Sequence, residues 1–231
     1  MTTIHGKIRE NLQKIHKRIE IAATSCGREP SEIQLLAVSK TKPAAAIREA
    51  YAAGQRRFGE NYVQEAVAKM QELSDLDIEW HYIGGIQSNK TRIIAAHFDW
   101  AHGVASLKHA RRLSEQRPDT LPPLYICLQV NISGESSKQG VIPTDAPGLA
   151  AAIAGLPHIR LRGLMALPEA TDDPQRQQAA FRSVRELLES LNRTGLQLDT
   201  LSMGMSNDLE AAIGEGATMV RIGTAIFGAR N

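Results

Sequence analysis

The sequence predicts an α/β fold: a single (β/α)8 barrel, the TIM barrel, with an extra N-terminal helix. Three observations carry that prediction. Eight short apolar runs recur along 231 residues, and each of the first seven is followed by a helical pattern. A barrel of this kind takes about 250 residues, so one lean barrel fills residues 1–231, and no linker-like composition divides them. No Gly-rich dinucleotide fingerprint follows the first strand, which weighs against the other arrangement alternation allows, a doubly wound open sheet.

Ile4, Ile8, Leu12, Ile15 and Ile19 recur every three or four residues and predict an amphipathic helix. It should stop near Cys26-Gly27, and it packs either outside the domain or in the barrel's lower end. Strand one is read at 33–40 and its helix at 43–53, opened by Pro43 and closed by Gly54. Strand two is 57–62, with a helix to about 73; strand three is 78–84, with a helix over 89–96. Strand four is 100–105 and its helix 107–116; strand five, the most apolar, is 124–132, and 147–156 is helical. Strand six is 159–167. Asp173-Pro174 then starts a long helix whose Phe181, Val184, Leu188 and Leu191 share a face. Strand seven is 200–205, a helix begins at 208, and strand eight is 219–227. The turn-rich segment 133–140 reads as a mobile loop over the barrel mouth.

Composition excludes several classes. The 27 Lys and Arg nearly balance the 25 Asp and Glu, and the short pairs Arg56-Arg57 and Arg111-Arg112 form no phosphate-tracking stripe, so nucleic acid is not an expected partner. Cys26 and Cys127 are far apart and make no disulfide framework or metal pattern; a reducing, cytoplasmic setting is the expectation. No apolar run suits a membrane span or a secretory leader, and no Ser-His-Asp or zinc spacing stands out.

Candidate chemistry sits at strand ends. Leu35-Leu36-Ala37-Val38 reads as a strand buried on both faces, and Lys40 follows at its carboxyl end, where barrels carry their sites. Apolar walls there disfavour the charged amine and make it a usable nucleophile toward an aldehyde; the plain alternative is a lysine that snorkels to water. The loops after strands seven and eight contain Ser206 and Gly223-Thr224. Hydroxyls, free N–H groups and small residues there suit a phosphate, although ordinary caps and turns use the same residues. Arg221 interrupts an apolar strand, and alternation points it into the barrel. A buried guanidinium needs a partner, either a carboxylate such as Glu60 or a cofactor's ring nitrogen; a structural ion pair is equally consistent. Asn61 and Tyr62 end strand two. His81 in strand three reads as a satisfied structural group, and Met165 as core.

Five motifs in one order, Ala37-Val38-Ser39-Lys40, Phe58-Gly59-Glu60-Asn61-Tyr62, Trp80-His81-Tyr82-Ile83-Gly84, Ser202-Met203-Gly204-Met205-Ser206 and Arg221 to Gly228, resemble the pyridoxal phosphate homeostasis protein family. Gly85 departs from it, standing where relatives often have proline. The resemblance implies one barrel like the N-terminal domain of alanine racemase, with pyridoxal 5'-phosphate (PLP) as cofactor. It implies that Lys40 forms the Schiff base, that Ser206, Gly223 and Thr224 hold the phosphate, that Arg221 faces the pyridine nitrogen and that Asn61 lies beside the ring. An arginine at that nitrogen weakens the cofactor as an electron sink, and no room is left after residue 231 for the domain that supplies alanine racemase with a second base. The implied role is therefore PLP homeostasis, not catalysis: a monomer that keeps the aldehyde as an imine and passes it to apo PLP-dependent enzymes, with Lys138 a transient acceptor on the way out. Two alternatives remain open from the sequence: a small racemase-like enzyme, and a Schiff-base aldolase without cofactor.

Overall fold

The structure is a computed structural model that describes residues 4–134 and 139–229. Lys138 and part of the 133–140 segment lie outside the described residues. Helix α1 spans Ile4–Ser25, and Gly27, at φ +74°, takes the left-handed turn that ends it. Strands and helices then alternate as β1 (Gln34–Val38), α2 (Ala44–Ala52), β2 (Arg57–Glu60), α3 (Val63–Glu72), β3 (Glu79–Tyr82), α4 (Thr91–His97), β4 (Trp100–Val104), α5 (Leu107–Gln116), β5 (Leu124–Val130), α6 (Ala146–Ala154), β6 (Ile159–Ala166), α7 (Pro174–Arg193), β7 (Thr200–Ser202), α8 (Leu209–Gly214), β8 (Met219–Ile222) and α9 (Thr224–Phe227).

Every strand pairs in parallel with its successor, and β1 closes the barrel on β8, with Leu36 opposite Arg221. Closure excludes the open doubly wound sheet. Alternation along each strand then makes two cores. Outward side chains such as Leu35, Phe58, Ile126 and Val220 meet helix residues such as Ile47, Ile94, Leu113 and Phe181. Inside, Trp100, Cys127 and Met165 pack on one another in a separate cluster.

The N-terminal helix does not plug the barrel. Its buried stripe, Ile8, Leu12, Ile15 and Ile19, lies outside against α2, α8 and α9. Polar bonds tie it to the last units: Asn11 Nδ2 donates to Ile226 O at 2.8 Å, Arg18 Nη2 to Ser206 O at 3.0 Å, and Arg18 also pairs with Glu210 of α8. Strand eight is shorter than the sequence suggests. Gly223, at φ −116° and ψ −77°, leaves the extended region, and its oxygen accepts from Ile226 N and Phe227 N, so the β-prone run after it coils into α9. Strand seven also stops early, because Gly204 at φ +95° turns the chain toward α8.

Candidate functional site

Lys40 lies in the turn after β1, held by its neighbours. Before it, Ser39 N donates to Gly59 O at 3.0 Å and Ser39 Oγ to Glu60 Oε1 at 2.6 Å. After it, Thr41 sits at φ +63°, where a β-branched residue is strained, and its N–H donates to Glu65 Oε1 at 2.6 Å. Lys69 of α3 joins both sides, donating to Ser39 O (2.8 Å), Glu60 Oε1 (2.8 Å) and Glu65 Oε1 (2.5 Å). Glu60 is fully buried. Burial raises its carboxyl above the usual range, while Lys69 and Ser39 pull it back.

Glu60 is therefore not the partner of Arg221. Strand parity turns Glu60 outward to α3 and Arg221 inward, where neutral oxygens receive it. Arg221 Nη1 donates to Ser202 O (2.5 Å) and Ser202 Oγ (2.7 Å), and Nη2 to Ala166 O (2.9 Å). Desolvation lowers its pKa to about 10, which leaves it charged at neutral pH. Its Nε–H has no acceptor among the described residues.

Lys40, Asn61, Ser206, Arg221, Gly223 and Thr224 all line one cavity of about 730 Å³ at the carboxyl ends of the strands. The buried Asn61 Oδ1 has no hydrogen-bond partner among the described residues. Gly223 lets β8 approach β1: a Cβ there would lie 3.2 Å from Val38 O. Thr224 opens α9, where the N–H groups of Thr224 and Ala225 precede the first helical bonds to Gly223 O and lack helical acceptors. The β7 loop is fixed by Asp208 Oδ1, which accepts from Met205 N at 2.5 Å, and by Arg18 on Ser206 O.

Sequence reasoning missed one wall. Met165, Leu167, Glu169, Asp172 and Gln177 also line the cavity. Met165 is buried in the interior cluster and floors the site at the same time, so core and pocket are one place here. His81 is not a lone histidine either: its Nδ1 lies 2.9 Å from His102 Nε2. The available signal was parity, since adjacent strands each carry a histidine among apolar residues. Cys127 offers no thiolate, because burial pushes its thiol up to about 12.

Comparison with known proteins gives a consistent picture. Residues 9–231 match the family described as alanine racemase, N-terminal domain. The chain is 65% identical over 224 residues to the pyridoxal phosphate homeostasis protein of Pseudomonas aeruginosa, covering 97% of this chain and 96% of that one. It is 55% identical over 227 residues to the protein of the same name in Escherichia coli (strain K12), covering 97% of each. Among solved structures, PipY of Synechococcus elongatus with PLP bound is similar at TM-score 0.84 and 42% identity, over 96% of this chain and 100% of that one. An alanine racemase from Corynebacterium glutamicum shares the fold, at TM-score 0.71 and 20% identity, over 97% of this chain and 62% of that one.

Proposed function

This chain belongs to the pyridoxal phosphate homeostasis protein family, whose barrel is that of the alanine racemase N-terminal domain, and from that premise we propose that it binds PLP at the barrel mouth and serves cytoplasmic PLP homeostasis without catalysis. Lys40 holds the aldehyde as a Schiff base. Ser206, Gly223 and Thr224 hold the phosphate, Arg221 faces the ring nitrogen, and Asn61 lies beside the ring. The observation that carries the reading is the convergence of all six on one cavity, from β8 itself and from the segments after β1, β2, β7 and β8.

The residues present fit such a group. Asn61 Oδ1 is a buried acceptor with no donor among the described residues, and Arg221, a charged donor, lines the cavity. The exposed hydroxyl of Thr224 and the open N–H groups of α9 suit an anion at the opposite side. Bound there, PLP supplies an aldehyde for the amine; with an arginine and no carboxylate at its ring nitrogen, it is a weak electron sink.

The chain's own groups favour holding over turnover. The described residues that line the cavity include no histidine, cysteine or tyrosine; besides Lys40 and Arg221 its titratable side chains are the carboxyls of Glu169, Asp172 and Asp208. With an arginine at the ring nitrogen, the electron sink that turnover needs is weak whichever of them moves a proton. The cofactor is retained until an apo PLP-dependent enzyme draws it off. The test loads the protein with PLP, then supplies single L- and D-amino acids and, separately, an apo-enzyme acceptor. Stoichiometric binding, slow activation of the acceptor and no sustained product formation are expected. Multiple turnovers that vanish in Lys40→Ala would replace this reading with a racemase-like enzyme.

A further inference from the structure

Below Arg221 the barrel interior carries a continuous line of polar contacts. Ser202 Oγ, which accepts from Arg221 Nη1 at 2.7 Å, lies 2.8 Å from His102 Nδ1. His102 Nε2 lies 2.9 Å from His81 Nδ1, and His81 Nε2 lies 2.7 Å from Glu79 Oε1. Glu79 begins β3 at the barrel's other end, half-exposed, and also accepts from Arg57 Nε at 3.2 Å. We propose that Glu79, His81 and His102 are positioning residues for Arg221: they form one directional hydrogen-bonded file that fixes the Ser202 hydroxyl as the guanidinium's acceptor.

The direction follows from the two ends. A guanidinium only donates and a carboxylate only accepts. Ser202 Oγ spends a lone pair on Arg221, so its own hydrogen needs an acceptor, and among the described residues His102 Nδ1 is the one in reach. His102 then carries its hydrogen on Nε2 and donates to a bare His81 Nδ1. His81 in turn carries hydrogen on Nε2 and donates to Glu79. Every bond is made and both imidazoles are neutral. Any other neutral arrangement sets two hydrogens or two lone pairs against each other inside a buried line, where an unmade bond is costly. A charged His81 would reverse the inner bonds and leave the Ser202 hydrogen without an acceptor.

The surroundings hold this arrangement. His81 and His102 are fully buried, and His81 stacks on Trp100 with the rings 5.4 Å apart and 10° from parallel. Desolvation lowers both imidazoles, with Glu79 and Asp99 opposing it at His81, and with His81 and Arg221 adding to it at His102. Among the described residues, Cys127 of the interior cluster and Asp208 of the β7 loop are the further ionisable groups that act on Arg221. The file thus anchors a cation at the cavity floor to an anion at the far end of the barrel. Because no carboxylate among the described residues bonds Arg221, the Ser202 hydroxyl is the element of its seat that a distant residue can set.

The first test needs neither variant nor cofactor. Nitrogen–proton correlation spectra of the ligand-free protein at neutral pH report which ring nitrogen of each imidazole bears hydrogen. Hydrogen on Nε2 alone is expected for both His81 and His102; hydrogen on Nδ1 of either overturns the file. The second compares His102→Leu with His102→Gln, whose amide keeps one acceptor and one donor. The leucine variant should shift the Arg221 guanidinium signals of the ligand-free protein, and the glutamine variant should restore most of that shift. Arg221 signals unchanged in a folded leucine variant overturn the proposal, and if that variant does not fold, the spectra of the natural chain decide. A third readout rests on the PLP reading above: the leucine variant should lose cofactor retention by roughly tenfold, the equivalent of one buried hydrogen bond. The ligand-free spectra stand whether or not PLP binds, so failure of the file and failure of the cofactor reading are distinguishable.

Discussion

Lys69 Nζ donates a 2.8 Å hydrogen bond to the backbone oxygen of Ser39, the residue immediately before Lys40. The same ammonium bonds Glu60 and Glu65, and Glu65 accepts from the N–H of Thr41, the residue immediately after. Lys40 is thereby flanked by two residues tied to one buried cation on α3. The left-handed conformation of Thr41 is held by its bond to Glu65 against its intrinsic cost.

Removing that cation should be expensive. Lys69→Met leaves Glu60 fully buried without its counter-ion, and loss of one member of a buried pair costs about 3–5 kcal/mol. Urea denaturation should show that loss. Adding Glu60→Gln to the same chain should recover part of it, because the charge that lacked a partner is gone. Equal stability of the Lys69→Met and natural proteins would mean that the pair is solvated in solution.

Lys40→Ala should abolish PLP's imine absorbance and leave the fold intact. Lys40 is only half-buried at a cavity wall, so its truncation opens no core void, and a stability change under about 1 kcal/mol is expected. Lys42 is not expected to take over: it does not line the cavity, and its Nζ donates to Ala229 O at 2.7 Å. Absorbance with borohydride reduction and peptide mapping checks both points; an adduct on another lysine would reassign the anchor.

Ser206→Ala and Thr224→Ala should each weaken PLP retention by about 1–3 kcal/mol, the cost of leaving a charged acceptor short of one bond. Arg18→Ala should weaken it less. Arg18 bonds the backbone oxygen of Ser206 and the carboxylate of Glu210, so it orients the loop without needing to touch the ligand. Competition between PLP and pyridoxal reads the site directly, and equal affinity for the two aldehydes would remove the phosphate from it.

What the sequence disclosed and what it hid follow from the range of the signals. Lys40 and Arg221 were legible because each interrupts an apolar run, and a run is a local pattern. The stripe of α1 and the shared face of Phe181, Val184 and Leu191 were legible for the same reason. Helix α9 was hidden because Ala225, Ile226 and Phe227 suit a strand as well as a helix, and one glycine decides between them. Lys69 was hidden because its bonds to Glu60 and Ser39 join α3 to β1 and β2 across the outer core. The Glu79-to-Arg221 file depends on the register of four strands, with His102 and Ser202 a hundred residues apart, and no local window holds it.

The buried imidazoles predict how stability responds to acid. Burial lowers the pKa of His102 well below its ordinary value near 6.5, and His81 shifts the same way. Between that value and the folded one, the unfolded chain binds protons that the native state refuses. Stability is therefore fully present above about pH 6.5 and falls as pH drops through the window below it, by about 1.4 kcal/mol per pH unit for each imidazole. Carboxyls raised by burial, Glu60, Asp99 and Asp208, act with the opposite sign above their own unfolded values, so the total slope mixes several groups. The difference between the natural protein and His102→Gln isolates one share. Urea denaturation from neutral pH down to about pH 5 should show the two stabilities converging on acidification, with a difference slope near 1.4 kcal/mol per pH unit. A difference that does not vary with pH would mean that the His102 ring titrates in the folded protein as it does in the unfolded chain, and the neutral file through the barrel would fall with it.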